Sequence, residues 1–122
     1  MRWMLLSFFV LCGPDCSSAS SPAAPALPPD IVAVPDSPTY DRDVHSYFAD
    51  HCLSCHGSPC ANGAPSFFRL DVYDDTGTVF GAKSMSAAAV ADVQSAGMPP
   101  GGGVGPNGKQ MLVRWVDIGS PQ

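Results

Sequence analysis

Apolar positions gather into three groups with helical spacing. Between Ser37 and Gly57 they recur at Tyr40, Val44, Tyr47, Phe48 and Cys52, gaps of four, three, one and four that put all five on one helical face. Ser37-Pro38 offers an N-cap and a first-turn proline, Thr39 is a rival cap, and Gly57 offers a stop. A second helix is predicted from Ser84 as cap through Met85, Ala88, Ala89, Val93 and Ala96 to Gly97. The third pattern is KQMLVRWVDIG, residues 109–119, where Met111, Leu112, Trp115 and Val116 share a face and Gly119 ends it.

Between these groups lie stretches that sustain neither helix nor strand. Residues 58–81 are irregular, with Phe67-Phe68 and Leu70-Asp71-Val72-Tyr73 as the expected buried points and Asp74-Asp75-Thr76-Gly77 as a turn. Residues 98–108, MPPGGGVGPNG, hold too much proline and glycine for regular structure. The pattern predicts an all-α fold of about three short helices joined by long loops, without internal repeats. Loops of that length are functional or wrapped around something.

Composition divides the chain before those helices begin. Residues 17–36 form a Pro/Ala/Ser-rich linker with too few large apolar groups to offset the entropy of ordering it, read as a semi-rigid tether of polyproline II character. Residues 1–16 carry an apolar run, Trp3 to Leu11, broken only by Ser7. That is far short of the roughly 20 residues of a spanning helix and matches the h-region of an export signal. Two kinds of processing stay open: cleavage at Ser18-Ala19-Ser20, or a lipoprotein-type signal with Cys12 or Cys16 as the lipidated residue and a lipid anchor. The remaining domain, 37–122, is small enough to call for a staple, a metal or a cofactor.

The 11 acidic residues, all Asp, outnumber 6 Lys and Arg, for a net charge of −5. That balance argues against nucleic acid and anionic headgroups as partners and favours a partner with a basic docking face.

The candidate chemistry lies in HCLSCHG, residues 51–57. Redox thiols at Cys52 and Cys55 would belong at a helix N-terminus after a strand, whereas here the amphipathic face precedes the pair. A zinc or iron–sulfur site from Cys52, Cys55, His56 and Cys60 would be one compact knot rather than two ligand pairs pinning distant segments. The third reading is covalent haem, whose attachment signature is C-x-x-C-H. Thiols at i and i+3 leave one face of a helical turn, each able to form a thioether with a porphyrin vinyl group, and the next residue, His56, carries an imidazole beneath the ring.

A haem iron so held has a sixth position. Met85 and Met111 fall on apolar helix faces and read as core fillers. His51, directly before Cys52, reads as solvated or capping, and His45 as exposed. Met98 is different, because Met98-Pro99-Pro100 holds the chain extended at the head of a glycine-rich loop, where a thioether can lie against a flat cofactor at low entropic cost.

With these residues the chain resembles the small single-haem class I cytochromes c of bacterial envelopes. The resemblance rests on Cys52-Leu53-Ser54-Cys55-His56-Gly57, on Met98-Pro99-Pro100, and on the closing Leu112, Trp115, Val116 and Gly119. It implies a cytochrome c-like fold with first and last helices crossing near one haem edge, one haem c on Cys52 and Cys55, and His56 and Met98 as axial iron ligands. It also implies that Tyr47, Phe48 and Trp115 pack the helix crossing or the haem edge, and it offers Arg69 as a propionate partner or a solvated arginine. The segment that usually accepts the proximal imidazole proton is expanded into residues 58–65, leaving the Pro59 and Pro65 carbonyls both open. Cys60 has no place in the pattern.

With both axial sites filled by protein atoms, the expected function is electron transfer, not enzyme catalysis, by a periplasmic or envelope-tethered protein. The alternatives are a haem peroxidase-like or gas-binding sensor domain with a labile distal Met98, and a metal-stapled interaction module using Cys52, Cys55, His56 and Cys60. A peroxidase would call for a second C-x-x-C-H, and the sequence has one.

Overall fold

The computed structural model describes residues 26–122. The expected export segment, Cys12, Cys16 and the first part of the linker lie outside the described residues. A π-helical turn, Tyr40–Val44, runs into α1, His45–His51; then follow α2, Leu53–His56; α3, Ala82–Gln94; and α4, Pro106–Asp117. Among the described residues the fold is mainly helical with no strand, only isolated bridges at Phe68–Phe80 and Thr76–Val79. The second of these closes a turn over residues 76–79, two residues later than the turn expected at 74–77, with Gly77 at φ +59.

The core follows the predicted stripes of the first and last helices. Tyr40, Val44, Tyr47 and Phe48 meet Met111, Leu112 and Trp115, all buried. The Trp115 ring lies edge-on to Phe48 with centroids 6.1 Å apart, and its Nε1 donates to the Pro121 carbonyl at 2.8 Å. The Tyr40 hydroxyl donates to the Leu70 carbonyl at 2.8 Å, tying the irregular stretch to the same core. Tyr47 rests on Gly108 of α4, and a Cβ there would overlap the tyrosine hydroxyl and ring. Gly119, at φ +91, stops α4 as expected: Gly119 N–H donates to the Val116 carbonyl and Ser120 N–H to that of Trp115, a glycine-type helix stop.

One boundary left open by the sequence is decided and two others differ from its reading. The start falls to Thr39, whose N–H donates to Asp43 Oδ2 at 2.9 Å, rather than to Ser37. Helix α3 begins at Ala82 behind Gly81, because Asp75 Oδ1 accepts the Gly81 N–H at 2.8 Å and the Ser84 hydroxyl at 2.5 Å. The capping oxygen thus comes from the preceding turn, not from Ser84. The buried face of α3 is Ala82, Ser86, Val90 and Val93, and only Val93 is shared with the predicted face. Ser86 is tolerated there because its hydroxyl is paired with that of Ser120 at 2.8 Å. Helix α4 opens at Pro106, inside the expected loop, with proline in its first turn where no N–H is needed.

The second half of the Pro/Ala/Ser-rich tract is held rather than free. Asp30 accepts the N–H of Asn107 at 2.9 Å and of Gly108 at 2.8 Å, capping α4 from far away in sequence. The Asn107 side chain donates to the Ile31 carbonyl at 2.9 Å, and Arg114 donates to the Pro35 carbonyl at 2.8 Å. Burial opposes ionisation of Asp30, but the N–H donors of Asn107, Gly108 and Ile31 outweigh it and hold the carboxyl below its ordinary value. A carboxylate with a lowered folded-state pKa contributes stability above its unfolded value, and this is lost as pH falls through the folded one. Asp30→Ala is therefore expected to cost about 1 kcal/mol near neutral pH, lowering Tm by roughly 4–8 °C. In thermal melts the gap from the parent closes as pH drops below 3.8.

Candidate functional site

The helix leading into the cysteine motif is broken at its first cysteine. Cys52 adopts φ −128, ψ −35, so α1 ends at His51 and the rest of the motif forms its own turn, α2. The Cys52 carbonyl accepts the N–H of Cys55 at 3.1 Å and of His56 at 2.9 Å, which wraps the three chemically active residues around one helical turn. Gly57 follows because space demands it: a Cβ there would lie 2.6 Å from the Leu53 carbonyl oxygen.

Met98 is delivered by the end of α3. Ala96 takes φ +60, Ala96 N–H donates to the Val93 carbonyl, and Gly97 N–H to that of Asp92 at 2.9 Å. This reverses the chain in the manner of a glycine-type stop, with alanine in the left-handed position. The Asp92 carbonyl also takes the Met98 N–H at 3.2 Å, so the methionine follows the helix end with no slack.

Cys52, Cys55, His56 and Met98 all line one cavity of about 350 Å³. Its other walls are largely apolar, including Phe48, Phe68, Leu70, Val90, Val93 and Leu112. The Phe68 ring lies 4.7 Å from that of His56. Met98 is 40 % exposed, so it borders both the cavity and solvent. Met111 is buried in the core as expected, whereas Met85 is only half-buried; neither lines the cavity.

The remaining histidines differ from their sequence reading. His51 is half-buried and lines the cavity, its ring 4.2 Å from that of Tyr47 and its Nε2 buried without a partner. The helix stops at His51, and this places its side chain beside the cavity rather than in solvent. His45 is half-buried against the edge of Tyr40, ring centroids 5.3 Å apart, and does not line the cavity.

The donor set bears on each of the three readings of the motif. Burial pushes the Cys52 thiol up to about 12, with Cys55 adding to the effect, the reverse of the lowered value that an attacking thiolate requires. Among the described residues no three His, Cys or carboxylate side chains gather to hold a metal ion, and Cys60 instead donates its thiol to the Gly57 carbonyl at 3.3 Å. A compact four-ligand knot is thus not formed. A haem fits what is present. The cavity volume falls within the roughly 300–1,000 Å³ of cofactor-sized sites, and its walls are predominantly apolar. His56 Nδ1 is buried with no hydrogen-bond partner, an orphaned nitrogen of the kind a bound centre or its surroundings must satisfy. Neither the Pro59 nor the Pro65 carbonyl takes that nitrogen, and the Pro65 carbonyl accepts the Phe68 N–H at 3.1 Å.

Arg69 is engaged elsewhere: it forms a two-pronged pair with Asp71, Nε donating to Oδ1 at 2.9 Å and Nη2 to Oδ2. Asn62, Val90 and Asp92 line the cavity without having been marked in the sequence reading, and His51 was read there as solvated or capping. Asn62 donates to Cys55 Sγ at 3.4 Å from the expanded loop, and its neighbour Gly63, at φ +82, was the one turn signal near it. Asp92 carries no local signal, since its place follows from the geometry at the end of α3.

Compared with known proteins, the chain matches no family model, no curated protein and no solved structure. Among the described residues, no helix is long and apolar enough to cross a membrane.

Proposed function

We propose that the cavity is the seat of one covalently attached haem c, and that the chain is a small class I cytochrome c exported to the periplasm or cell envelope for electron transfer. One observation carries the reading: a contiguous thiol–thiol–imidazole turn and a methionine more than forty residues further on border the same apolar cavity. Cys52 and Cys55 would hold the haem as thioethers, and His56 and Met98 would occupy the two axial positions. Bound there, the haem supplies one-electron oxidation and reduction at a raised potential.

This chain's residues do the rest. His56 is buttressed by Phe68, and α3 and α4 supply apolar walls to the cavity. Protein atoms at both axial positions leave no site for substrate, so no enzyme activity is proposed. The net charge of −5 suits redox partners with a basic docking face.

A second reading is favoured by the exposure of Met98: a distal ligand at the surface can be labile, which would make the domain a gas-binding sensor. One spectrum tests the first reading. Protein made in an export-competent host with haem attachment machinery is expected to show thioether-haem bands when reduced and the weak red band of sulfur ligation when oxidised. A reduced spectrum of five-coordinate iron would contradict the electron-transfer reading.

A further inference from the structure

The loop between Met98 and α4 has little of its own to hold it. Gly101, Gly102 and Gly103 all take positive φ, +85, +82 and +114, conformations that glycine enters freely and as freely leaves. The one backbone bond that closes within it, among the described residues, runs from Gly102 N–H to the Pro99 carbonyl at 2.9 Å. The Met98 end is anchored on Asp92, and the Gly105 end is tied through the backbone to α4 alone, whose Lys109 N–H donates to the Gly105 carbonyl at 3.0 Å.

That end is gripped from outside by the strap of residues 26–36. The Leu27 side chain lies over Gly103, its Cδ2 3.1 Å from where a Cβ would stand. Asp30 sits against Gly105 so closely that a Cβ there would collide with the carboxylate, and the same carboxylate caps Asn107 and Gly108. Two strap side chains therefore hold the loop at its middle and at its exit.

We propose that Leu27 and Asp30 are positioning residues for Met98: by fixing the far side of the glycine-rich loop, they keep the Met98 side chain at the cavity. This rests on the reading of Met98 as distal ligand. A loop with three glycines surrenders much conformational entropy when it orders, and an external clamp makes that loss before the ligand is needed. The strap thereby belongs to the functional domain, and it tunes how readily the distal position opens.

The test uses the full haem-bearing chain and compares it with Leu27→Gly, Asp30→Ala, Asp30→Asn and Met98→Ala, at a temperature where melts show each folded. Amide exchange of residues 101–105 and the rate of CO binding to the ferrous protein are both measured. Leu27→Gly and Asp30→Ala are each expected to raise both by about fivefold, and Asp30→Asn, which keeps only one of the two accepting oxygens, to raise them by less than Asp30→Ala does. Leu27 is 65 % exposed, so its variant keeps the test decisive should Asp30→Ala fail to fold. Parent-like exchange and CO binding in Leu27→Gly and Asp30→Ala, alongside fast CO binding in Met98→Ala, would overturn the clamp and leave the ligand reading intact. Unchanged CO binding in Met98→Ala would overturn the ligand reading itself, and the proposal with it.

Discussion

Gly108→Val is expected to lower Tm by more than 10 °C. Any Cβ at this position would overlap the Tyr47 hydroxyl and ring, and a β-branched side chain adds two more carbons to the conflict. Tyr47 has little room to withdraw, being 3 % exposed with its ring against His51. Overpacking of a close-packed contact costs about 1–3 kcal/mol, the upper end applying where neither partner can move. At roughly 4–8 °C per kcal/mol for a domain this small, the shift exceeds 10 °C. The cause is identifiable in a double variant. If the clash is responsible, adding Gly108→Val to Tyr47→Ala costs far less than adding it to the parent, a coupling of about 1–3 kcal/mol. Equal costs in the two backgrounds would mean that glycine is needed for some reason other than the tyrosine.

Met98→Ala is the second large effect, and it falls on the site rather than the fold. Met98 is 40 % exposed at the end of a helix stop, so its removal is expected to leave the melting temperature within a few degrees of the parent. If the thioether is the distal ligand, the weak red band of the oxidised protein disappears and the reduction potential falls. CO affinity also rises, because the distal position no longer has to open first. With an open population of at most about 10 % in the parent, the apparent affinity increases about tenfold or more. A red band and CO affinity unchanged by the substitution would assign the sixth position to another residue, and His51, half-buried on the same cavity, would be examined next.

How much of this was legible in the sequence follows from the physics of each element. The helices ending at His51 and Asp117 bury wide apolar stripes, and such stripes are visible as spacing: Tyr40, Val44, Tyr47, Phe48 and Met111, Leu112, Trp115 all lie in the core. Helix α3 is rich in alanine, which has no strong preference between faces, and its buried face includes Ser86, satisfied by Ser120 from beyond α4. No local pattern reveals a pairing of that kind. The same holds for the strap. Asp30 stands in a tract whose composition reads as tether, and only the N-terminus of α4, distant in sequence, gives its carboxylate something to bind.

The candidate site divides in the same way. Cys52, Cys55 and His56 are neighbours along the chain, so their chemistry is contained in one short motif, and Met98 is marked by its prolines. The cavity they share is a tertiary fact. Its walls come from α1, α3, α4 and the irregular stretch around Phe68 and Leu70, and nothing in the spacing of His51, Asn62 or Asp92 marks them as wall residues.

The central claim is that iron-porphyrin is bonded to Cys52 and Cys55. The most direct measurement is the intact mass of the mature protein, isolated from its native envelope and denatured before analysis. The account predicts the mass of the processed polypeptide plus one haem, retained through denaturation; the mass of the polypeptide alone would contradict it.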